Sequence, residues 1–149
     1  MNILALDLGT KCGWALSTSD LLSAGTWNLK PSTFDSSGIR YTKLKVHLLE
    51  IIYKNPITKL VYEEVHAHIG VDSAHVYGGF RAIVQSICLE HGIPFEGIGV
   101  QTIKKHATGS GNAKKEAMIL AAVKKWPSYH GAFHYFYIFT YVNWPGSCI

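Results

Sequence analysis

Three groups of side chains in this sequence have types and spacings that could do chemistry. The first is Asp7, inside the apolar run NILALDL at positions 2–8. A carboxylate in such a run is costly to desolvate unless it meets a cation or a hydrogen-bond donor. It stands at the C-terminal end of the run, beside Gly9, where open α/β sheets place their ligand sites. The plainer alternative is that Asp7 caps its own turn at Gly9-Thr10. The second group is Glu63 and Glu64 in LVYEEV. Neighbours on a strand point to opposite faces, so only one of them can share a site with Asp7. At a solvated strand end, neither does.

The third group is cationic. Between 101 and 125 the chain carries Lys104, Lys105, His106, Lys114, Lys115, Lys124 and Lys125, with Glu116 the sole acid. Gly109-Ser110-Gly111-Asn112 opens the helix expected to carry Lys114 and Lys115. A Gly-rich turn before a helix N-terminus, flanked by lysines, suits phosphate. It is not a P-loop, because GxxxxGK[ST] is absent; a solvated basic helix face is the competing reading. His66, His68 and His75 follow the acids closely. HAH on an extended strand would turn both rings to one face, but a zinc site needs further ligands and none has a convincing spacing. They are expected to be polar loop histidines.

These residues need elements to hold them. Residues 2–8 read as a strand buried on both faces. Residues 13–18 and 22–29 read as two more, joined by a polar turn at Ser19-Asp20, which makes an antiparallel meander. Tyr41, Leu44, Leu48, Ile51 and Ile52 predict a helix over 38–54, stopped at Asn55-Pro56. Residues 59–65 are a strand. Val76, Phe80, Ile83, Val84, Ile87 and Cys88 predict a helix over 73–91, with Asp72 or Ser73 as N-cap. Residues 94–99 are a short strand, 101–106 a helical turn, and 113–125 a helix capped by Asn112. The order βββαβαβα is an α/β fold: a mixed five-stranded sheet with helices on its faces. Gly78-Gly79 and Gly109-Ser110-Gly111 read as local punctuation, not domain boundaries.

Composition sets the outer limits. With 149 residues, 48% apolar and 16% charged, the chain is one ordinary domain and wholesale disorder is excluded. Fourteen Lys and Arg against ten Asp and Glu give a net charge of +4, which permits a polyanionic partner. Cys12, Cys88 and Cys148 form no CxxC pair, so a reducing, cytoplasmic setting is expected. The N-terminus has no basic leader and Asp7 interrupts its apolar run, so it does not read as a signal peptide. No apolar run reaches the ~18 residues of a transmembrane helix, and no membrane partner is expected. The averages hide a break. All ten carboxylates lie at or before Glu116, and Pro127–Ile149 carries no charge but many aromatics, from Tyr129 to Trp144. The chain divides into a domain at 1–126 and an uncharged aromatic tail at 127–149, which reads either as a terminal strand or two packed on the core or as a segment foreign to the domain. The tail's Phe133–Val142 run favours strand.

In combination and order, ILALDLGTKCGWAL, VYEEV, DSAHVYGG and HGIPFEGIGVQTIKKHATGSGNAKKEAM resemble the RuvC-type Holliday junction resolvases of bacteria and phages, from residue 1 to about Pro127. The resemblance implies a ribonuclease H-like fold and a structure-specific endodeoxyribonuclease, usually a homodimer, that cuts four-way DNA junctions. It implies two Mg²⁺ ions, with Mn²⁺ as a substitute, held by carboxylates. One ion activates water and the other steadies the leaving 3′ oxygen. Asp7 matches the family's first-strand Asp, and Glu63 its fourth-strand Glu. Lys104 and Lys115, with neighbours Lys105 and Lys114, fall in the family's two lysine regions near the DNA backbone. His66 falls where an aromatic residue stacks on a junction base. The family's last helix opens with D-x-x-D-A-x-A, which completes the metal site. Here the corresponding stretch reads PSYHGAFHYFYIF, with His130 and His134 its only candidate ligands.

Three rivals follow. A ribonuclease H-like RNA-processing nuclease shares the D-x-GTK strand. An actin-like ATPase shares DLGT but needs a second lobe. A junction-binding protein needs the basic surface but not the full acid set.

Overall fold

The computed structural model describes residues 1–20 and 22–125. The elements run β1 (Ile3–Asp7), β2 (Lys11–Ser17), β3 (Leu22–Asn28), α1 (Ile39–Lys54), β4 (Lys59–Glu64), α2 (Val71–Glu90), β5 (Phe95–Gly99), α3 (Val100–Thr108) and α4 (Lys115–Lys125). The expected strand Phe133–Val142 and the boundary at 126/127 lie outside the described residues.

The strands form one sheet in the order β3-β2-β1-β4-β5. Short links force β1, β2 and β3 to run antiparallel, whereas the crossovers through α1 and α2 make β1, β4 and β5 parallel. β1 is central, and Ile3, Leu4, Ala5 and Leu6 are all buried, so the expected two-sided burial holds. Leu4, Leu6, Leu60 and Tyr62 join the main core with Leu44 and Leu48 of α1 and Phe80, Val84, Ile87 and Cys88 of α2. Ile3, Ala5, Ala15 and Val61 face the other way, onto Ile98 and Ile103.

Several local expectations need correction. The helix expected from 73 starts at Val71, with Gly70 at φ 101° as its N-cap and no side-chain capping bond; neither Asp72 nor Ser73 fills that role. Gly78 and Gly79 are inside this helix. A Cβ at Gly79 would collide with the Tyr41 ring, which lies edge-on to Phe80 at 5.5 Å. The glycine therefore admits α1 rather than breaking α2. The helical turn at 101–106 is a nine-residue helix, α3, ended by Gly109 at φ 83°. A left-handed residue there returns its N–H to the Lys105 carbonyl at 2.8 Å, which glycine does without steric cost. α4 starts at Lys115, not 113, because Ala113 is held in a turn by its N–H to the Ser110 carbonyl.

Candidate active site

β1 and β4 lie side by side and parallel, in register from Ile3 opposite Lys59 to Leu6 opposite Tyr62. One step further on stand Asp7 and Glu63. Side chains alternate along each strand. Ile3 and Ala5 face Ile103, so Asp7 continues that face. Val61 faces the same way, so Glu63 continues it too. The two carboxylates are thus neighbours on the α3 side, at the C-terminal ends of the two central strands. Glu64 continues the opposite face with Leu60 and Tyr62. There its Oε1 meets Arg81 Nη1 of α2 at 3.4 Å.

Electrostatics separate Glu63 from an ordinary surface acid. Burial first, then the Asp7 charge, push its carboxyl from 4.5 up to about 7, while Lys104 of α3 pulls the other way. A proton and a divalent cation relieve the same stress, and two oxygen donors beside a site for phosphate are the ligand set Mg²⁺ accepts. The pair fits such an ion. Among the described residues no group of three or more His, Cys, Asp or Glu could hold a metal. Asp7 also contributes to pushing up the thiol of Cys12, behind burial as the main cause, and Cys88 is pushed up to about 12 by burial. Both cysteines are buried and free, hence chemically inert at neutral pH.

α3 follows β5 directly, and Ile103 anchors it on the sheet. Lys104 is half-buried, and its charge reaches Glu63. Lys105, Lys114 and Lys115 are exposed. The Gly-rich turn is organised by Thr108: its hydroxyl donates to the Lys104 carbonyl at 2.9 Å and accepts the Ser110 N–H at 3.2 Å. Lys114 precedes α4 instead of riding on it, and its carbonyl accepts the Met118 N–H.

The histidines separate. β4 ends at Glu64, so HAH lies in a loop, not on a strand. His66 is exposed, its Nε2 3.9 Å from where a Gly99 Cβ would stand. His68 turns to the Tyr77 ring at 4.8 Å. A cleft of about 710 Å³ opens on that side of the sheet, lined by Thr10, Arg40, Tyr41, His68, Asp72 and Tyr77 among others. It holds no pair of acids like the one across the sheet, so the carboxylate pair rather than the cleft is the candidate for chemistry. Sequence reasoning passed over Tyr77 and Arg81. Arg81 could have been sought as a cation for Glu64; Tyr77 binds backbone, which leaves no mark in the sequence.

No protein-family model matches the chain. It is 27% identical over 120 residues to the crossover junction endodeoxyribonuclease RuvC of two strains of Nitratidesulfovibrio vulgaris, spanning 78% of this chain and 72% of each relative. Its fold matches Thermus thermophilus RuvC in complex with a Holliday junction substrate, with a TM-score of 0.78 at 18% identity, over 94% of this chain and 89% of that one. T. thermophilus RuvC in a further structure gives 0.74 at 19%, over 94% and 90%. The yeast mitochondrial Holliday junction resolvase Ydc2 gives 0.55 at 13%, over 93% and 77%. The chain is thus similar to RuvC in sequence and has its ribonuclease H-like fold.

Proposed function

We infer that this relative of the RuvC-type resolvases is a structure-specific DNA endonuclease acting on four-way junctions. One observation carries the reading: Asp7 and Glu63 stand side by side at the ends of β1 and β4, on a sheet that superposes on a junction-bound RuvC. Asp7 and Glu63 would hold divalent ions, Mg²⁺ or Mn²⁺, through hard oxygen donors. Such ions, when bound, supply an activated water and charge stabilisation for in-line displacement at phosphorus. The chain's own residues do the rest. The two strands fix the spacing of the carboxylates. Lys104, whose charge reaches Glu63, would meet the phosphate next to the acids, and the exposed Lys105, Lys114 and Lys115 would extend a positive surface along α3 and the start of α4. Contacts of this kind position a backbone without reading bases. His66, exposed beyond β4, would stack on a base at the branch point, more weakly than a larger aromatic. Two copies would present two such sites, as symmetric cutting of a junction demands.

The tail adds a quantitative expectation. Its sequence from Pro127 to Ile149 has no acid, so the second ion depends on few fixed charges and cutting is slow relative to binding. The test is cleavage of a synthetic four-way junction, with duplex DNA and structured RNA beside it, in Mg²⁺ and in Mn²⁺. Junction-selective cutting that needs the metal supports the reading, and an Asp-rich helix grafted after Pro127 should speed it. Preferential cutting of RNA overturns it. Tight metal-independent junction binding with no cutting in either ion would make the chain a binding protein.

A further inference from the structure

Tyr77 lies on α2, on the side of the sheet away from the two carboxylates, and is buried. Its hydroxyl donates to the Glu63 carbonyl at 2.9 Å and accepts the Val65 N–H at 3.1 Å. Those two backbone groups have the i, i+2 spacing that a neighbouring parallel strand would use. The register of β4 with β1 runs only to Leu6 opposite Tyr62. The register of β4 with β5 continues to Glu64 opposite Gly99, so it is where the β1 pairing has ended that a single side chain takes over bonding, at the residue whose carboxylate matters. We propose that Tyr77 is a positioning residue: by holding the backbone on both sides of Glu64, it keeps Glu63 turned toward Asp7 on the far face.

The geometry favours this over simple anchoring of α2. Helix and sheet are already joined by Phe80, Val84 and Ile87 in the main core. A second hydroxyl bond links the same two elements, from Gln85 Nε2 to the Tyr62 hydroxyl at 2.9 Å. It touches no backbone, so it can anchor but cannot set the strand's course. Without the Tyr77 hydroxyl, the Glu63 carbonyl and Val65 N–H lose their partner where β4 gives way to the loop carrying His66. The last residues of the strand could then turn toward solvent to find water.

The inference rests on the reading of Asp7 and Glu63 as a metal-holding pair. The test is Mn²⁺ binding to the full chain, read by electron paramagnetic resonance, for the wild type, Tyr77→Phe, Tyr62→Phe and Asp7→Asn. Tyr77→Phe keeps the ring and its packing. It should weaken Mn²⁺ binding roughly 10-fold, the low end for loss of a bond that orients a metal ligand. Tyr62→Phe should bind Mn²⁺ like the wild type, and both phenylalanine variants should melt only a few degrees lower. Unchanged Mn²⁺ affinity in Tyr77→Phe overturns the proposal. So does an equal loss in Tyr62→Phe, which would mean general loosening. If the wild type binds no Mn²⁺, or Asp7→Asn binds it equally well, the carboxylate-pair reading falls and this inference falls with it.

Discussion

The two faces of the sheet are built on different terms. On one, large side chains of β1 and β4 meet two long helices, and Leu4, Leu6, Leu44, Leu48, Leu60 and Phe80 are almost completely buried. An acid that strays onto this face, Glu64, is met by Arg81. The other face has a thin core, with Ala5 and Ala15 between Ile3, Val61, Ile98 and Ile103. Its charges come at both ends. At the start of β4, Lys59 pairs with Glu96 at 2.7 Å. At the end of β4, two acids are set beside each other and Glu63 is driven up to about 7. Opposite charges at one end and like charges at the other, on one face, show that burial alone did not create the stress on Glu63. A core that thick on one side can carry an electrostatic cost on the other, and sites that bind cations need that cost.

The strongest way to break this contrast is to remove the first acid. Asp7→Asn should cut junction cleavage by at least ~100-fold while leaving junction binding intact or tighter, because the lost carboxylate also repels phosphate. Gel-shift and cleavage assays on one preparation check both parts. Cleavage at the wild-type rate would take Asp7 out of the mechanism.

Next comes the comparison between adjacent acids. Glu63→Gln should lower cleavage and metal affinity by roughly 10- to 100-fold. Glu64→Gln, whose partner is a partly exposed arginine, should stay within about threefold and lose at most about 1 kcal/mol of stability. The reverse order would place the working face on the α2 side and undo the register argued above.

The stress on Glu63 should also be visible without catalysis. Its folded pKa lies above the ordinary 4.5, at about 7, so the fold holds the proton more tightly than the unfolded chain does. For the metal-free protein this contribution is fully present below pH ~4.5 and is lost as pH rises through about 7, by an amount on the order of 3 kcal/mol. Denaturant melts at pH 5 and pH 7.5 should show the fall, and Glu63→Gln should flatten it. Mg²⁺ should raise stability more at pH 7.5 than at pH 5, since ion and proton compete for the same oxygens.

What could be read in advance follows from what kind of signal each feature leaves. β1 was legible because a continuous apolar run stopped by Gly9 has few other readings. The alternation rule limited the site to one of Glu63 and Glu64, and the strand faces then put Glu63 beside Asp7. α3 was under-read as a turn because it is short and polar, with Ile103 its one buried residue, so few apolar side chains mark it as a helix. The start of α2 was misplaced because Gly70 ends the loop through its backbone, whereas Asp72 and Ser73 merely look like caps. Tyr77 could not be found at all. Its partners are a carbonyl and an N–H, which every residue has, and only the packing of α2 on β4 chooses them.

The smallest expected effect separates the lysines of the thin face from one another. Lys105, Lys114 and Lys115 are exposed, so each should act on DNA as a point charge. Replacing Lys115 with Ala should weaken binding to all junction sequences alike and reduce the slope of log K against log salt by ~0.9, the release of one condensed counterion. Between 50 and 200 mM salt that is a change of only about threefold, so titrations at several salt concentrations are needed to see it. Lys104 is half-buried and its charge also eases Glu63. Lys104→Ala should therefore reduce the salt slope by a similar amount and, in addition, push the Glu63 carboxyl further up. The metal-free stability curve would then continue to fall at pH values where the wild type has levelled off. Lys115→Ala should leave that curve unchanged. If both variants change only the salt slope, Lys104 is one more member of the DNA surface, and the link between that surface and the acid pair is absent.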